Sequence, residues 1–351
     1  AFITRAQMLA MRTRATVPVR HWLRRSRRSM STRDSPRYWA PEKILPSGMG
    51  EVRIINNTTR DAQQSNLSAE MADEHRQAVG KMINDVYKGM EGSPGYEQTW
   101  GGTVPMFDIW KRGVDPFDEC RTMVSSMMDT PASALIRSNG LCAMGNQPKE
   151  VVDAFIGAAY NAGVDVFTNF CAHNDWRNHV NVAEAVHKAG GHYQGALSWA
   201  VHREDPTIYN VRWAVDFFRK LKDLGAHSLY VKDPSGALTP EMAGVLAAQV
   251  KEAFPDTPLV FHTHYQTGFG YMAYYQAVVN GANGVECSLG MADGAGQPYG
   301  LTMLRAFEDL GFDTGKPNVE AMEAITQFTN KEIRPLYAQG RVVRVPDVKV
   351  E

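Results

Sequence analysis

From residue 52 onward, short apolar runs alternate with stretches whose apolar residues recur at helical spacing. The runs at 52–56, 103–107, 133–137, 164–170, 193–199, 228–232, 259–264 and 284–289 read as strands, apolar enough to be buried on both faces. Between and after them, 68–90, 115–128, 148–162, 176–189, 206–224, 239–253, 270–279 and 301–310 read as helices. Asp115-Pro116 and Thr239-Pro240 are apt starts, since each pairs a capping side chain with a proline at the first helical position. Trp100-Gly101-Gly102 supplies glycines where backbones approach closely. Eight strand–helix units with short loops predict an α/β fold, a (β/α)8 TIM barrel whose parallel strands close into one sheet. An open doubly wound sheet is the alternative, but no Gly-x-Gly-x-x-Gly follows the first strand. The barrel is placed at 51–312. Residues 313–351 read as one helix over 319–337 and a charged tail, and 39–50 as a Pro- and Gly-containing linker.

In such a barrel, chemistry gathers at the carboxyl ends of the strands. Those ends carry Arg60-Asp61, Arg137, Lys232, and the pair His262 and His264. Side chains alternate along a strand, so the two histidines face one side and offer half of a metal site. Asp61 with two neutral imidazoles suits a divalent transition ion. Lys232 admits two readings. It pairs with Asp233 or Asp61, or it captures carbon dioxide and presents a carbamate, an oxygen ligand like a carboxylate.

Composition changes this picture in one place. Hydrophobic content of 44% and charge of 21% over 351 residues are ordinary for a globular chain. No apolar run approaches the roughly 20 residues that span a bilayer. Cys120, Cys142, Cys171 and Cys287 are scattered, without a Cys-x-x-Cys pair, so reduced thiols are expected. The net charge of -1, however, hides an asymmetry. Residues 1–38 hold ten arginines and one acid, Asp34, for +9, which leaves -10 on the remainder. Arginine mixed with Ser, Thr, Ala, Leu and Met is the composition of a mitochondrial targeting segment, which predicts a matrix location. Held in place instead, residues 1–50 would dock on an acidic surface: other protein subunits of a mitochondrial complex first, RNA or lipid headgroups second. An oligomer is expected.

The motifs also support a resemblance. Thr58-Thr59-Arg60-Asp61-Ala62-Gln63-Gln64-Ser65 resembles the first-strand signature of the carboxyltransferase domain of pyruvate carboxylase, oxaloacetate decarboxylase and transcarboxylase. Trp100-Gly101-Gly102, Leu135-Ile136-Arg137, Val231-Lys232-Asp233 with Gly236, and His262-Thr263-His264 follow in the family's order. The resemblance covers 52–312 and continues weakly to about 340. It implies a metal-containing barrel in which Asp61, carbamylated Lys232, His262 and His264 hold Zn, Mn or Co. It implies that Arg60, Gln64 and Arg137 contact a 2-keto acid such as pyruvate or oxaloacetate, and that biotin arrives on a separate carrier. The planar fork of arginine suits a carboxylate.

The departures bear on activity. The family's fourth strand ends Phe-Arg-Ile-Phe-Asp; here it is Phe167-Thr168-Asn169-Phe170-Cys171. The eighth-strand loop, usually Gly-x-Thr-Ser-Gln-Pro, is Gly294-Ala295-Gly296-Gln297-Pro298. Tyr265 replaces an aspartate, and Asn56-Asn57 replaces Asp-Thr. The sequence ends at Glu351, ahead of the helical segment that follows the family's barrel, and contains neither a biotin-carrier Met-Lys-Met nor an ATP-binding half. Two functions are expected from this reading. One is a carboxyltransferase or decarboxylase subunit with impaired turnover. The other is a non-catalytic structural subunit that keeps barrel and metal. A lyase of the same barrel superfamily ranks below both, because Lys232 argues against it.

Overall fold

The computed structural model describes residues 39–338, apart from 68–70, 91, 128–129, 144, 201–209 and 292–295. The arginine-rich arm and the polar tail therefore lie outside the described residues. Eight strands form one parallel sheet: β1 (Arg53–Asn56), β2 (Glu97–Gly101), β3 (Ala132–Ile136), β4 (Val166–Phe170), β5 (His192–Ser198), β6 (Ser228–Asp233), β7 (Leu259–Thr263) and β8 (Gly284–Cys287). The hydrogen-bonded order is β1-β8-β7-β6-β5-β4-β3-β2, every pair parallel. The expected parallel barrel is present, with one correction: the sheet is nearly closed rather than closed. No ladder joins β1 to β2 among the described residues. The seam is bridged by side chains instead, Asn56 Nδ2 donating to Glu97 Oε1 at 2.8 Å.

A second correction concerns 103–107. The strand ends at Gly101, and Val104–Phe107 is helical. Gly101 and Gly102 both have positive φ (+85° and +61°), which turns the chain out of the sheet, and Pro105 suits the start of a helical turn. The helix expected over 68–90 is observed as α1 (Asp73–Tyr87), and a helical turn at Thr58–Ala62 and Gln63–Leu67 precedes it.

The barrel helices that follow are α2 (Pro116–Ser125), α3 (Lys149–Asn161), α4 (Val180–Ala189), α5 (Val211–Asp223), α6 (Pro240–Ala253), α7 (Gly270–Val279) and α8 (Gly300–Asp309). The caps read from the sequence form. Asp115 accepts from Phe117 N at 2.9 Å and Thr239 from Met242 N at 3.3 Å. The final helix begins as α9 (Val319–Phe328) and continues through Thr329–Ile333 and Arg334–Ala338.

Two apolar layers follow from strand alternation. Ile55, Tyr96, Val166, Ala196, Tyr230 and Val260 fill the barrel interior, joined by Ile44 and Leu45 from the segment before β1. Val52, Ile54, Ala134, Phe167, Leu229, Phe261 and Val285 belong to the layer between strands and helices. The interior also carries buried polar side chains, Gln98, Gln194, Thr168 and Glu286, and at the strands' carboxyl ends Lys232 and His262. Buried polar groups persist only when hydrogen-bonded, so this end of the barrel is built for something other than packing.

Candidate metal centre

The register of the sheet assembles the site. β6 and β7 pair with Lys232 opposite His262, both at the carboxyl end of the barrel. Alternation then brings His264 to the same side just beyond the strand. Arg60 and Asp61 come from the turn after β1, which is pinned by Thr58. Its hydroxyl donates to Asn56 Oδ1 at 2.6 Å and accepts from Leu289 N at 2.9 Å.

Asp61, His262 and His264 converge, with one ligand atom from each lying within 4.8 Å of the others. Asp61 Oδ2 is 3.1 Å from His264 Nε2 and 3.5 Å from His262 Nε2. All three residues are buried. Burial works against the Asp61 carboxylate, but Arg60, then His264 and His262, outweigh it and hold its pKa well below the usual range. Arg60 donates to Asp61 Oδ1 at 2.7 Å.

His262 is oriented from behind. Its Nδ1 lies 2.8 Å from Glu286 Oε2, while its Nε2 is buried without a hydrogen-bond partner. Burial lowers the pKa of this histidine, against the opposing pull of Glu286. A neutral ring that donates from Nδ1 to a carboxylate presents the lone pair of Nε2 to the site. That tautomer is the one a metal needs, and the carboxylate–histidine pair is how metal-ligating imidazoles are commonly held. The donor set therefore fits a divalent cation.

Lys232 stands beside this triad and is 8% exposed. Among the described residues its ammonium makes no ion pair with Asp61 or Asp233, so the simpler reading from the sequence does not hold. Asp233 spends its carboxylate on the loop after β6 and on β7, accepting from Ala237 N, Leu238 N and Thr263 Oγ1. The Lys232 amine lies over the Phe170 ring, 5.1 Å from its centroid. Burial lowers its pKa to about 8, with Asp61 pulling the other way.

The three residues expected to meet a keto acid lie around the same mouth. Arg60 is buried, and its Nε and Nη2 have no hydrogen-bond partner. Arg137, half-buried at the end of β3, donates to Cys142 O at 3.1 Å, and its pKa is lowered by burial and by repulsion from Arg60. Gln64 is committed differently, its Oε1 accepting from Thr103 N at 3.0 Å. Gly102 makes room for this arrangement, because a Cβ there would meet Gln64 Oε1 at 2.7 Å and Arg60 Nη1 at 3.3 Å.

Glu286 and Gln297 also touch the triad; reasoning from the sequence noted Gln297 only as part of the eighth-strand loop and passed over Glu286. A charged residue between Val285 and Cys287 in a buried strand was a usable signal for Glu286.

Comparison with known proteins identifies the family. A family profile described as HMGL-like matches residues 112–328. The chain is 29% identical to a pyruvate carboxylase subunit of Methanocaldococcus jannaschii over 75% of this chain and 45% of that protein. It is 28% identical to the methylmalonyl-CoA carboxyltransferase 5S subunit of Propionibacterium freudenreichii subsp. shermanii over 89% of this chain and 60% of that one. The chain thus spans about half of these relatives' length. The carboxyl transferase domain of Rhizobium etli pyruvate carboxylase, solved with oxamate and biotin, superposes with a TM-score of 0.77 at 22% identity, covering 83% of this chain and 48% of that chain. The same domain solved with pyruvate and biocytin gives 0.75 at 21% identity over 84% and 50%. With more than half of its length matched by the profile, the chain belongs to the HMGL-like family and has the barrel fold of the carboxyltransferase domains its motifs resemble.

Proposed function

We propose that this protein is a carboxyltransferase-like barrel that holds one divalent cation (Zn, Mn or Co) and binds a small 2-keto acid such as pyruvate or oxaloacetate, with impaired turnover. The observation that carries the reading is the convergence of Asp61, His262 and His264 beside Arg60, whose Nε and Nη2 have no hydrogen-bond partner. In this reading Lys232 completes the ligand set as a carbamate: its neutral amine adds to carbon dioxide and releases a proton. A pKa of about 8 leaves a fraction of the amine neutral at physiological pH. A bound divalent cation would supply Lewis acidity at the substrate's carbonyl oxygen. The chain's own residues do the rest. Arg60 and Arg137 hold the carboxylate, Gln64 keeps the Gly102–Thr103 turn behind Arg60, and buried walls exclude water. Biotin, on a separate carrier, would deliver or accept the carboxyl group.

Impaired turnover is favoured by β4. Where the family has a charged arginine, Thr168 is buried and donates to Gln194 Oε1 at 2.7 Å. Where the family has an aspartate, Cys171 stands, 5% exposed. The same departures favour the second reading, a structural subunit that keeps the metal. Its arm at residues 1–50 would dock on other subunits in the mitochondrial matrix, with RNA or lipid contact below that in rank. Calorimetric titration with pyruvate and with oxalate separates the two. Binding that Arg137→Ala removes supports the keto-acid site; no binding at millimolar ligand supports the structural subunit. Exchange of carboxylate between oxaloacetate and biotin, assayed with purified protein, measures turnover itself.

A further inference from the structure

Asp61 has two carboxylate oxygens, and Arg60 holds only one of them, Oδ1. The amide of Gln297 reaches the other: its Nε2 donates to Asp61 Oδ2 and lies 3.5 Å from His264 Nε2. Gln297 is fully buried. Its amide orientation follows from its partners, because an ionised carboxylate only accepts and so must face the NH2 group. Consistently, Gln297 Oε1 accepts from Ser288 Oγ at 3.2 Å.

The backbone on either side is fixed. Gly296 O accepts from Tyr265 N at 2.9 Å, and Pro298 O from Ser288 N at 3.0 Å. An isolated parallel bridge joins Ser288 to Tyr299. The loop after β8 is thereby returned to the strand end, with Gln297 aimed at Asp61 across 236 positions of sequence. A carboxylate torsion is broad and roughly two-fold, so one arginine alone leaves Asp61 free to swing its second oxygen away from the imidazoles. With Arg60 on Oδ1 and Gln297 on Oδ2, both oxygens are clamped. Each carboxylate oxygen has two acceptor directions; on Oδ2 one meets Gln297, and the other meets His264 Nε2 at 3.1 Å, a contact a cation between the histidines would replace.

We infer that Gln297 is a positioning residue of the metal centre, holding Asp61 Oδ2 in the orientation that a divalent cation requires. This rests on the metal reading above. Partners of this kind, one step behind the ligands, change metal affinity by about 10–100-fold when removed.

The test is a cobalt(II) titration of the full chain, with affinity read by chelator competition and geometry by the visible absorption of the bound ion. Gln297→Met keeps length and volume but removes the N–H donor. It should bind cobalt about 10–100-fold more weakly than wild type, with an altered absorption band and an unchanged thermal midpoint of the metal-free protein. Ser288→Ala, which frees the far end of the amide, should show a smaller loss in the same direction. Equal affinity and an identical band in Gln297→Met would overturn the inference while leaving the metal reading intact. Tighter binding would overturn it too, by showing that the amide obstructs the site. A wild-type chain that takes up no cobalt would remove the metal reading itself. Should Gln297→Met fail to fold, a Ser288→Ala variant indistinguishable from wild type in affinity and spectrum overturns the inference.

Discussion

Lys232 is the residue on which the chemistry of the site turns. It is buried, its amine is unpaired by Asp61 or Asp233 among the described residues and lies over the Phe170 ring, and its backbone is in register with His262 on the neighbouring strand. If it forms a carbamate, protein equilibrated with 13C-labelled carbon dioxide should show a carbamate carbon signal that Lys232→Ala abolishes. Labelled protein without that signal would return Lys232 to a purely cationic role. His262, His264 and Asp61 were legible in the sequence because strand alternation puts His262 and His264 on one side, and the turn after β1 is short. Gln297 and Glu286 were less legible. Their contacts cross 236 and 24 positions, and no local pattern states which strand end a loop will return to. The alternative ion pair of Lys232 with Asp233 or Asp61 is not formed among the described residues; Asp233 instead accepts from Ala237 N, Leu238 N and Thr263 Oγ1.

At the scale of elements, the turn after β2 shows where pattern reading stops. The apolar run at 103–107 looks like a strand, but two consecutive glycines at positive φ end the strand before it. Gly102→Ala should destabilise the protein by about 1–2 kcal/mol for the left-handed backbone alone, and more if Gln64 and Arg60 cannot move aside. The readout is the denaturant midpoint together with 2-keto-acid binding, and both should fall.

The segment that follows carries a charge cluster with its own pH signature. Asp108 is buried beside Glu119, Arg76 and Arg112, with Asp73 close by; Arg76 pairs with Glu119, and Arg112 with Asp73. Burial, then repulsion from Glu119, raises the Asp108 pKa to about 7. In the unfolded chain the value is about 4. The folded state therefore holds this proton more tightly, so its stabilising contribution is complete near pH 4 and lost as pH rises through about 7. Asp108→Asn should match wild type only below about pH 4 and melt a few °C higher at pH 8. A variant that melts lower at pH 8 would show that the charged form is the one the fold wants.

The eight strand–helix units were readable as a barrel because both-face burial and short crossovers leave few other topologies. Closure at β1–β2 was not readable, because it depends on Asn56 and Glu97 meeting across the seam rather than on any ladder. For the molecule as a whole, a cation that binds only the folded state adds stability by mass action, about 2.7 kcal/mol at a free concentration one hundred times its Kd. Dialysis against a chelator should lower the thermal midpoint by several °C, and returning Zn, Mn or Co should restore it. The most direct measurement of the central claim is metal content by elemental analysis, on protein expressed with these ions available, for wild type, His262→Ala and His264→Ala. The account predicts about one divalent transition ion per wild-type chain and none in either variant. Metal-free wild-type protein, or ion retained after both substitutions, would contradict it.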